Sequence, residues 1–157
     1  MKRDINLKTL SWEHHDGLVL IFRIERGLKN HSDPELIRSY LLHSWETALT
    51  HHFWQEEETL PGILNQNREG KILLKKMRED HQEIEKLIIS IQTNSSDSRN
   101  ELDEFGKELS RHIRFEEREL FPFIERNADK HSMEKIGTFL KDQHRAGNEI
   151  WEPAFWR

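Results

Sequence analysis

Two segments of the 157-residue chain place a histidine and a glutamate four positions apart: His52-Phe-Trp-Gln-Glu56-Glu57 and His112-Ile-Arg-Phe-Glu116-Glu117. On a helix, residues i and i+4 share a face, so each pair sets an imidazole nitrogen and a carboxylate oxygen at neighbouring depths. A Leu and a Pro follow each copy, as Leu60-Pro61 and as Leu120 then Pro122. One further histidine lies upstream of each copy, within Glu13-His14-His15 and within Glu79-Asp80-His81. The pattern reads as two helical hairpins, each offering His on one helix and His-x-x-x-Glu on the next.

Burying an ionised carboxylate or an unpartnered imidazole is costly. Six such groups from four helices call for a partner that repays the cost. Four nitrogens and two carboxylates suit two cations, because a carboxylate links two ions through its two oxygens while an imidazole ends on one. This donor set favours iron first, then manganese or zinc, and metal binding would then be coupled to folding. Composition removes other chemistries. The absence of cysteine excludes disulfides, thiolate nucleophiles, zinc fingers and iron–sulfur clusters within the chain. A formal charge of −5 argues against a general nucleic-acid binder. The Glu-x-x-His of ferritin-like bundles, the His-Glu-x-x-His of zincins, a Gly-rich phosphate loop and a Gly-x-Ser-x-Gly elbow are all missing.

The elements that must position these groups are helices. Gly and Pro are scarce, and no stretch alternates apolar and polar residues over strand length. Ser11 is expected to cap a first helix running to about Lys29. Asp33 with Pro34 opens a second, which reaches about Glu58 and stops before Pro61-Gly62. A third is expected from about Gln66–Gly70 to Thr93, followed by the polar linker Asn94-Ser95-Ser96-Asp97-Ser98. A fourth spans about Ser98 to Arg126. Ser132 is expected to cap a shorter fifth helix that frays near Gly147. The expected fold is all-α: an up-down-up-down four-helix bundle with an additional short C-terminal helix. It forms a single domain over residues 1–157, with the bundle core at about 10–127 and the C-terminal helix and aromatic tail at about 132–157. The longest apolar run, Leu18 to Phe22, is too short to span a bilayer, and no secretory leader opens the chain; the expectation is a cytoplasmic protein with no membrane or nucleic-acid partner.

Periodicity selects the inward faces. The fourth helix carries Leu102, Phe105, Leu109, His112, Glu116, Leu120 and Phe123. The second carries Leu42, Trp45, Leu49, His52, Glu56 and Leu60, and the third Leu74, Met77, His81, Ile84 and Ile88. The first helix stays open: Trp12, His15, Val19 and Phe22 make one stripe, His14, Leu18 and Ile21 another.

Taken together, Glu13-His14-His15 with Leu18, His52-Phe-x-x-Glu56-Glu57 with Leu60-Pro61, Asp80-His81, and His112-Ile-Arg-Phe-Glu116-Glu117 with Leu120-Phe121-Pro122 resemble a hemerythrin-like, or HHE cation-binding, domain. The resemblance covers residues 13 to 122. It implies a four-helix bundle holding a non-haem, carboxylate-bridged pair of iron ions, other divalent metals being possible. Family members bind dioxygen reversibly, sense oxygen or redox state, handle iron, or respond to oxidative and nitrosative stress. The implied ligands are His15, His52, Glu56, His81, His112 and Glu116. His15 is preferred because the family spacing Glu-x-His-x-x-apolar fits Glu13, His15 and Leu18, with His14 the competing position. Oxygen-carrying hemerythrins have another His one turn after the third-helix ligand; here that position is Glu85, which is either an additional acidic ligand or a solvated side chain. His144 is expected as a core-edge histidine, with a ligand role as the alternative. His51, on the face Ala48–His51–Gln55, is expected at the surface. Glu57 and Glu117 are candidates to orient ligand imidazoles. An apolar wall of Leu49, Leu109, Phe105, Trp45 and Ile84 is expected around the metals.

The function expected is binding or sensing of dioxygen or another small diatomic or redox ligand, with a di-iron oxidase, peroxidase or nitric-oxide-detoxifying enzyme as the alternative. Any sensing output would pass through a protein partner. The aromatic tail, Trp151, Phe155 and Trp156, is expected to cover a bundle end or to form a dimer contact.

Overall fold

The structure is a computed structural model, and it describes residues 2–94, 98–144 and 150–157. Every regular element among them is helical: α1 (Lys8–Lys29), α2 (Pro34–Ser44), α3 (Thr50–Thr59), the single turn α4 (Pro61–Leu64), α5 (Arg68–Thr93), α6 (Arg99–Phe115), α7 (Phe121–Asn127) and α8 (Lys130–Gln143). A π-helical turn, Trp45–Leu49, joins α2 to α3 without a break, and a second, Glu116–Leu120, joins α6 to α7. The second and fourth expected helices are therefore each one continuous rod with a wide turn inside it.

The punctuation is partly as the residues indicate. The Asp33 side chain accepts from the Glu35 N–H and Pro34 holds the first helical position of α2. Asn67 caps α5 by accepting from the Gly70 N–H at 2.8 Å. Two expected caps are wrong. α1 begins ahead of Ser11, whose hydroxyl donates to Glu117 instead. α8 is capped by Asp129, which accepts from the Ser132 N–H at 2.8 Å; Asp129 precedes Ser132 by three residues and takes the N-cap geometry first. Residues 95–97 of the expected linker, and the expected fraying near Gly147, lie outside the described residues.

The core is two apolar clusters with a polar layer between them. One cluster holds Ile21 and Ile24 of α1, Ile37 and Leu41 of α2, Ile84, Ile88 and Ile91 of α5, and Leu102, Phe105 and Leu109 of α6. The other holds Leu7 and Leu10, Leu60 and Leu64, Leu74 and Met77, Phe115, Leu120 and Phe121, with Met133, Ile136 and Leu140 of α8. Each buried aliphatic or aromatic side chain contributes about 1.5–3 kcal/mol, so the sheets of apolar contact above and below hold the polar layer in place. Where α1 meets α6, Gly17 leaves room: a Cβ there would sit 3.1 Å from Ile113 Cδ1.

The C-terminal tail folds back on α1 and α2. Phe155 is buried against Ile37 and Tyr40, over Gly27, where a Cβ would come within 2.7 Å of its ring. The tail thus covers a bundle end, one of its two expected roles. No helix among the described residues is long and apolar enough to cross a membrane.

Candidate metal centre

Each long rod contributes to the polar layer at the point where its apolar stripe is interrupted. On α5 the order is Leu74, Met77, His81, Ile84, Ile88; on α6 it is Leu102, Phe105, Leu109, His112, Phe115. On α3, His52 and Glu56 stand between Leu49 and Leu60, and Glu116 opens the π-turn that follows α6. All of these polar groups are buried, Glu56 and Glu116 completely. Five of the six expected ligand positions, His52, Glu56, His81, His112 and Glu116, therefore come together.

The sixth does not. His15 is exposed, and His14 takes the inward position at 4% exposure. The inward stripe of α1 is Leu10, His14, Gly17, Ile21, Ile24. Its continuity passes through a glycine, while the bulky Trp12 and Phe22, 60% and 55% exposed, mark the opposite face. The expected stripe through His15 is the solvent face. Glu85 is also exposed and stands outside the cluster. Gln55, expected on a surface face, is fully buried and turned toward α1, where it donates to Glu13. Of the expected wall, Leu49, Leu109, Phe105 and Ile84 are buried and Trp45 is half-buried.

The six inward groups form two overlapping sets, His14–His52–Glu56–Glu116 and Glu56–His81–His112–Glu116, each with one donor atom per residue and all donors within 4.8 Å of one another. The two glutamates belong to both. Glu116 Oε1 lies 2.9 Å from His14 Nε2 and 3.1 Å from His112 Nε2. Glu56 turns one oxygen to each set: Oε1 is 3.1 Å from His81 Nε2, and Oε2 is 3.4 Å from His52 Nε2 and 3.8 Å from His14 Nε2. Every imidazole presents Nε2 inward.

Every Nδ1, in turn, meets a carboxylate on the neighbouring rod. His14 Nδ1 is 2.6 Å from Glu117, His52 Nδ1 is 2.8 Å from Glu13, His81 Nδ1 is 3.2 Å from Glu57, and His112 Nδ1 is 3.1 Å from Asp80. The links run in a ring: Glu13 of α1 holds His52 of α3, Glu57 of α3 holds His81 of α5, Asp80 of α5 holds His112 of α6, and Glu117 beyond α6 holds His14 of α1. An ionised carboxylate only accepts, so Nδ1 carries the proton. A neutral ring then has its lone pair on Nε2, aimed at the centre. Two rings are also braced by aromatic faces: Phe121 stacks on His14 at 5.3 Å and Phe53 on His81 at 4.0 Å.

The electrostatics say what the layer was built around. Without a cation, burial favours neutral imidazoles, yet the surrounding carboxylates win. His112 is pushed up to about 10, with the charge of Glu116 the main opposing influence. His52 is held well above the ordinary histidine range by Glu56 and Glu13. His14 and His81 are raised as well, by hydrogen bonds to their glutamates. Burial works against the Glu116 anion, but the charge of His112 and the hydrogen bond from His14 bring it well below the usual carboxylate range. The layer demands positive charge, supplied either by protons on the rings or by cations between them. Of the six buried side-chain atoms without a hydrogen-bond partner among the described residues, four, His52 Nε2, His112 Nε2, Glu56 Oε2 and Glu116 Oε2, belong to the shared centre; the others are Arg3 Nε and Gln55 Oε1. Orphaned buried donors and acceptors are rare in folded proteins; here those four belong to nitrogen–oxygen donor sets whose chemistry fits metal binding.

The family of the hemerythrin HHE cation-binding domain matches residues 7–124. The chain belongs to that family. The hemerythrin HHE match takes in all six inward residues and the four carboxylates behind them, and it leaves α8 and the aromatic tail outside. No curated protein and no solved structure matches the chain.

The carboxylates Glu13 and Asp80 are the functional residues that local patterning did not assign. Each immediately precedes a histidine on its own helix but orients the histidine of the next, so the pairing is visible only once the rods are side by side. Gln55, which donates to Glu13 at 2.8 Å, carried no signal beyond its place between His52 and Glu56.

Proposed function

We propose that this chain is a non-haem di-iron protein that binds or senses dioxygen or another small diatomic or redox ligand. The observation carrying this reading is the pair of four-residue sets that share Glu56 and Glu116. His14 and His52 would hold one ion, His81 and His112 the other, and the two glutamates would bridge them. Hard-to-borderline nitrogen and oxygen donors suit iron, with manganese and zinc as the competing occupants. When bound, such a pair supplies redox-active cations that a small ligand can reach. The chain itself orients each imidazole through its Nδ1 carboxylate, and it surrounds the centre with Leu49, Leu109, Phe53 and Phe121, which limit water and so raise the effect of every charge inside.

The same proposal includes an up-down-up-down order for the four rods within a single domain. Its support is that α1 and α5 enter the cluster of Leu10 and Leu74 first and reach the cluster of Ile24 and Ile91 last, while the α2–α3 and α6–α7 rods do the reverse.

Elemental analysis of anaerobically purified protein, with optical spectra before and after air, tests the reading. The expected result is close to two irons per chain and new ferric absorption on exposure to oxygen. Protein that takes up no iron, or whose spectrum air leaves unchanged, contradicts it.

A further inference from the structure

The four orienting carboxylates are not held alike. Glu57 receives Arg78 at 3.0 Å and Asp80 receives Lys76 at 3.5 Å, both from α5 inside the family domain. These two support His81 and His112. Glu117, behind His14, accepts from the Ser11 hydroxyl at 2.8 Å, but its cationic partner is Arg3 at 3.1 Å, and the same guanidinium donates to the Glu117 carbonyl at 2.8 Å and to Glu125 at 2.5 Å. Glu13, behind His52, accepts from Gln55 at 2.8 Å on one oxygen and receives His144 at 3.1 Å on the other, and it forms no pair with Lys or Arg among the described residues. Arg3 precedes the segment matched to the family and His144 lies beyond it. His144 is also set in place by its neighbour: the Gln143 carbonyl accepts from His51 Nε2 at 2.7 Å, fastening the end of α8 to α3.

We infer that the segments flanking the family domain set the affinity of one cation of the pair, the one held by His14 and His52, through Arg3 on Glu117 and His144 on Glu13. The inference rests on the dinuclear reading above. Arg3 and His144 are positioning residues: neither faces the centre, and each fixes a carboxylate that fixes an imidazole. Outer hydrogen-bond partners of metal ligands typically change affinity by about 10–100-fold, and these act one contact further out, so the lower end is expected. The seat formed by His81 and His112 depends on neither segment. The two ions should thus separate in affinity when the flanks are altered, although the inner ligand set is nearly symmetric.

The test is calorimetric titration of metal-free full-length protein with cobalt(II), followed in parallel by the hyperfine-shifted imidazole N–H resonances. The variants are Arg3→Ala with His144→Ala, the conservative pair Arg3→Lys with His144→Gln, and Lys76→Ala with Arg78→Ala. The flank double variant should bind one equivalent as the wild type does and the second about tenfold more weakly, with the resonances of His14 and His52 appearing last. The conservative pair should restore most of the loss, because Lys and Gln still donate to Glu117 and Glu13. The α5 double variant should weaken the other equivalent. Equal weakening of both equivalents by the flank variant, no change in either, or failure of the conservative pair to rescue overturns the inference while leaving the dinuclear reading intact. Wild-type protein that binds fewer than two cobalt ions overturns both.

Discussion

The His14–His52 and His81–His112 halves of the centre share an inner plan and differ outside it. Each takes one histidine from a first helix, one from a second, and both shared glutamates. Each has a phenyl ring stacked on one imidazole, Phe121 in the first half and Phe53 in the second. Beyond that the resemblance stops. The carboxylates of the second half are braced by cations of α5, those of the first by the neutral donors Ser11 and Gln55 together with Arg3 and His144 from outside the family segment. The rods are also unequal: the π-turn Trp45–Leu49 precedes His52, whereas Glu116–Leu120 begins on the shared glutamate itself. Wide turns of this kind recur at functional sites. Here the second one lets Glu116 face the centre while Leu120 and Phe121 still reach the core. An inner ligand set can therefore repeat while the structure that holds it does not.

The largest effect should come from removing what the halves share. Glu56→Ala or Glu116→Ala takes a ligand from both seats, so the metal-to-protein ratio measured by elemental analysis should fall from near two to below one. Removing the metals from the intact protein should be nearly as severe. A ligand present at a thousand times its Kd stabilises by about 4 kcal/mol, so chelating two cations should lower Tm by more than about 10 °C for a chain of this size. A Tm that chelation leaves unchanged would mean that the polar layer is self-sufficient.

Single-half variants separate the halves. His112→Ala should lower the ratio to about one, and His14→Ala should do the same from the other side. His15→Ala should leave the ratio near two and change stability by less than about 0.5 kcal/mol, as surface substitutions do. A loss of metal from the His15 variant with none from the His14 variant would reverse the assignment on α1.

The smallest effect is one of slope. In metal-free protein His112 titrates at about 10 against about 6.5 unfolded. Its contribution is fully present below pH 6.5 and is lost as pH rises through 10. Metal-free protein should accordingly lose stability between those values. With metal bound the rings are neutral ligands, so protons compete with the cations and stability should fall toward acid instead. Denaturant unfolding of both forms from pH 5 to 10 checks the opposite slopes.

The fold and most of the site were legible in the residues for a definite reason. His112 and Glu116 interrupt a strongly apolar stripe, and interruptions of that kind are visible without neighbours. His81 is framed in the same way by Met77 and Ile84. Periodicity left His14 and His15 open, because Gly17 breaks the apolar rhythm of α1 on the inward face while Trp12 and Phe22 supply another outside, and the family spacing then favoured His15. Gln55 was hidden because its partner, Glu13, lies on a separate helix. The crossings from Glu13 to His52 and from Asp80 to His112 join separate helices, and periodicity within one helix carries no information about them. Arg3 and His144 reach the centre only through such crossings.

A crystal structure of the metal-loaded protein, with anomalous differences collected at the iron edge, tests the central claim most directly. The account predicts two peaks inside the bundle, both touching Glu56 and Glu116, one beside the Nε2 atoms of His14 and His52 and the other beside those of His81 and His112. A single peak, a peak at His15, or no peak among these side chains would contradict it.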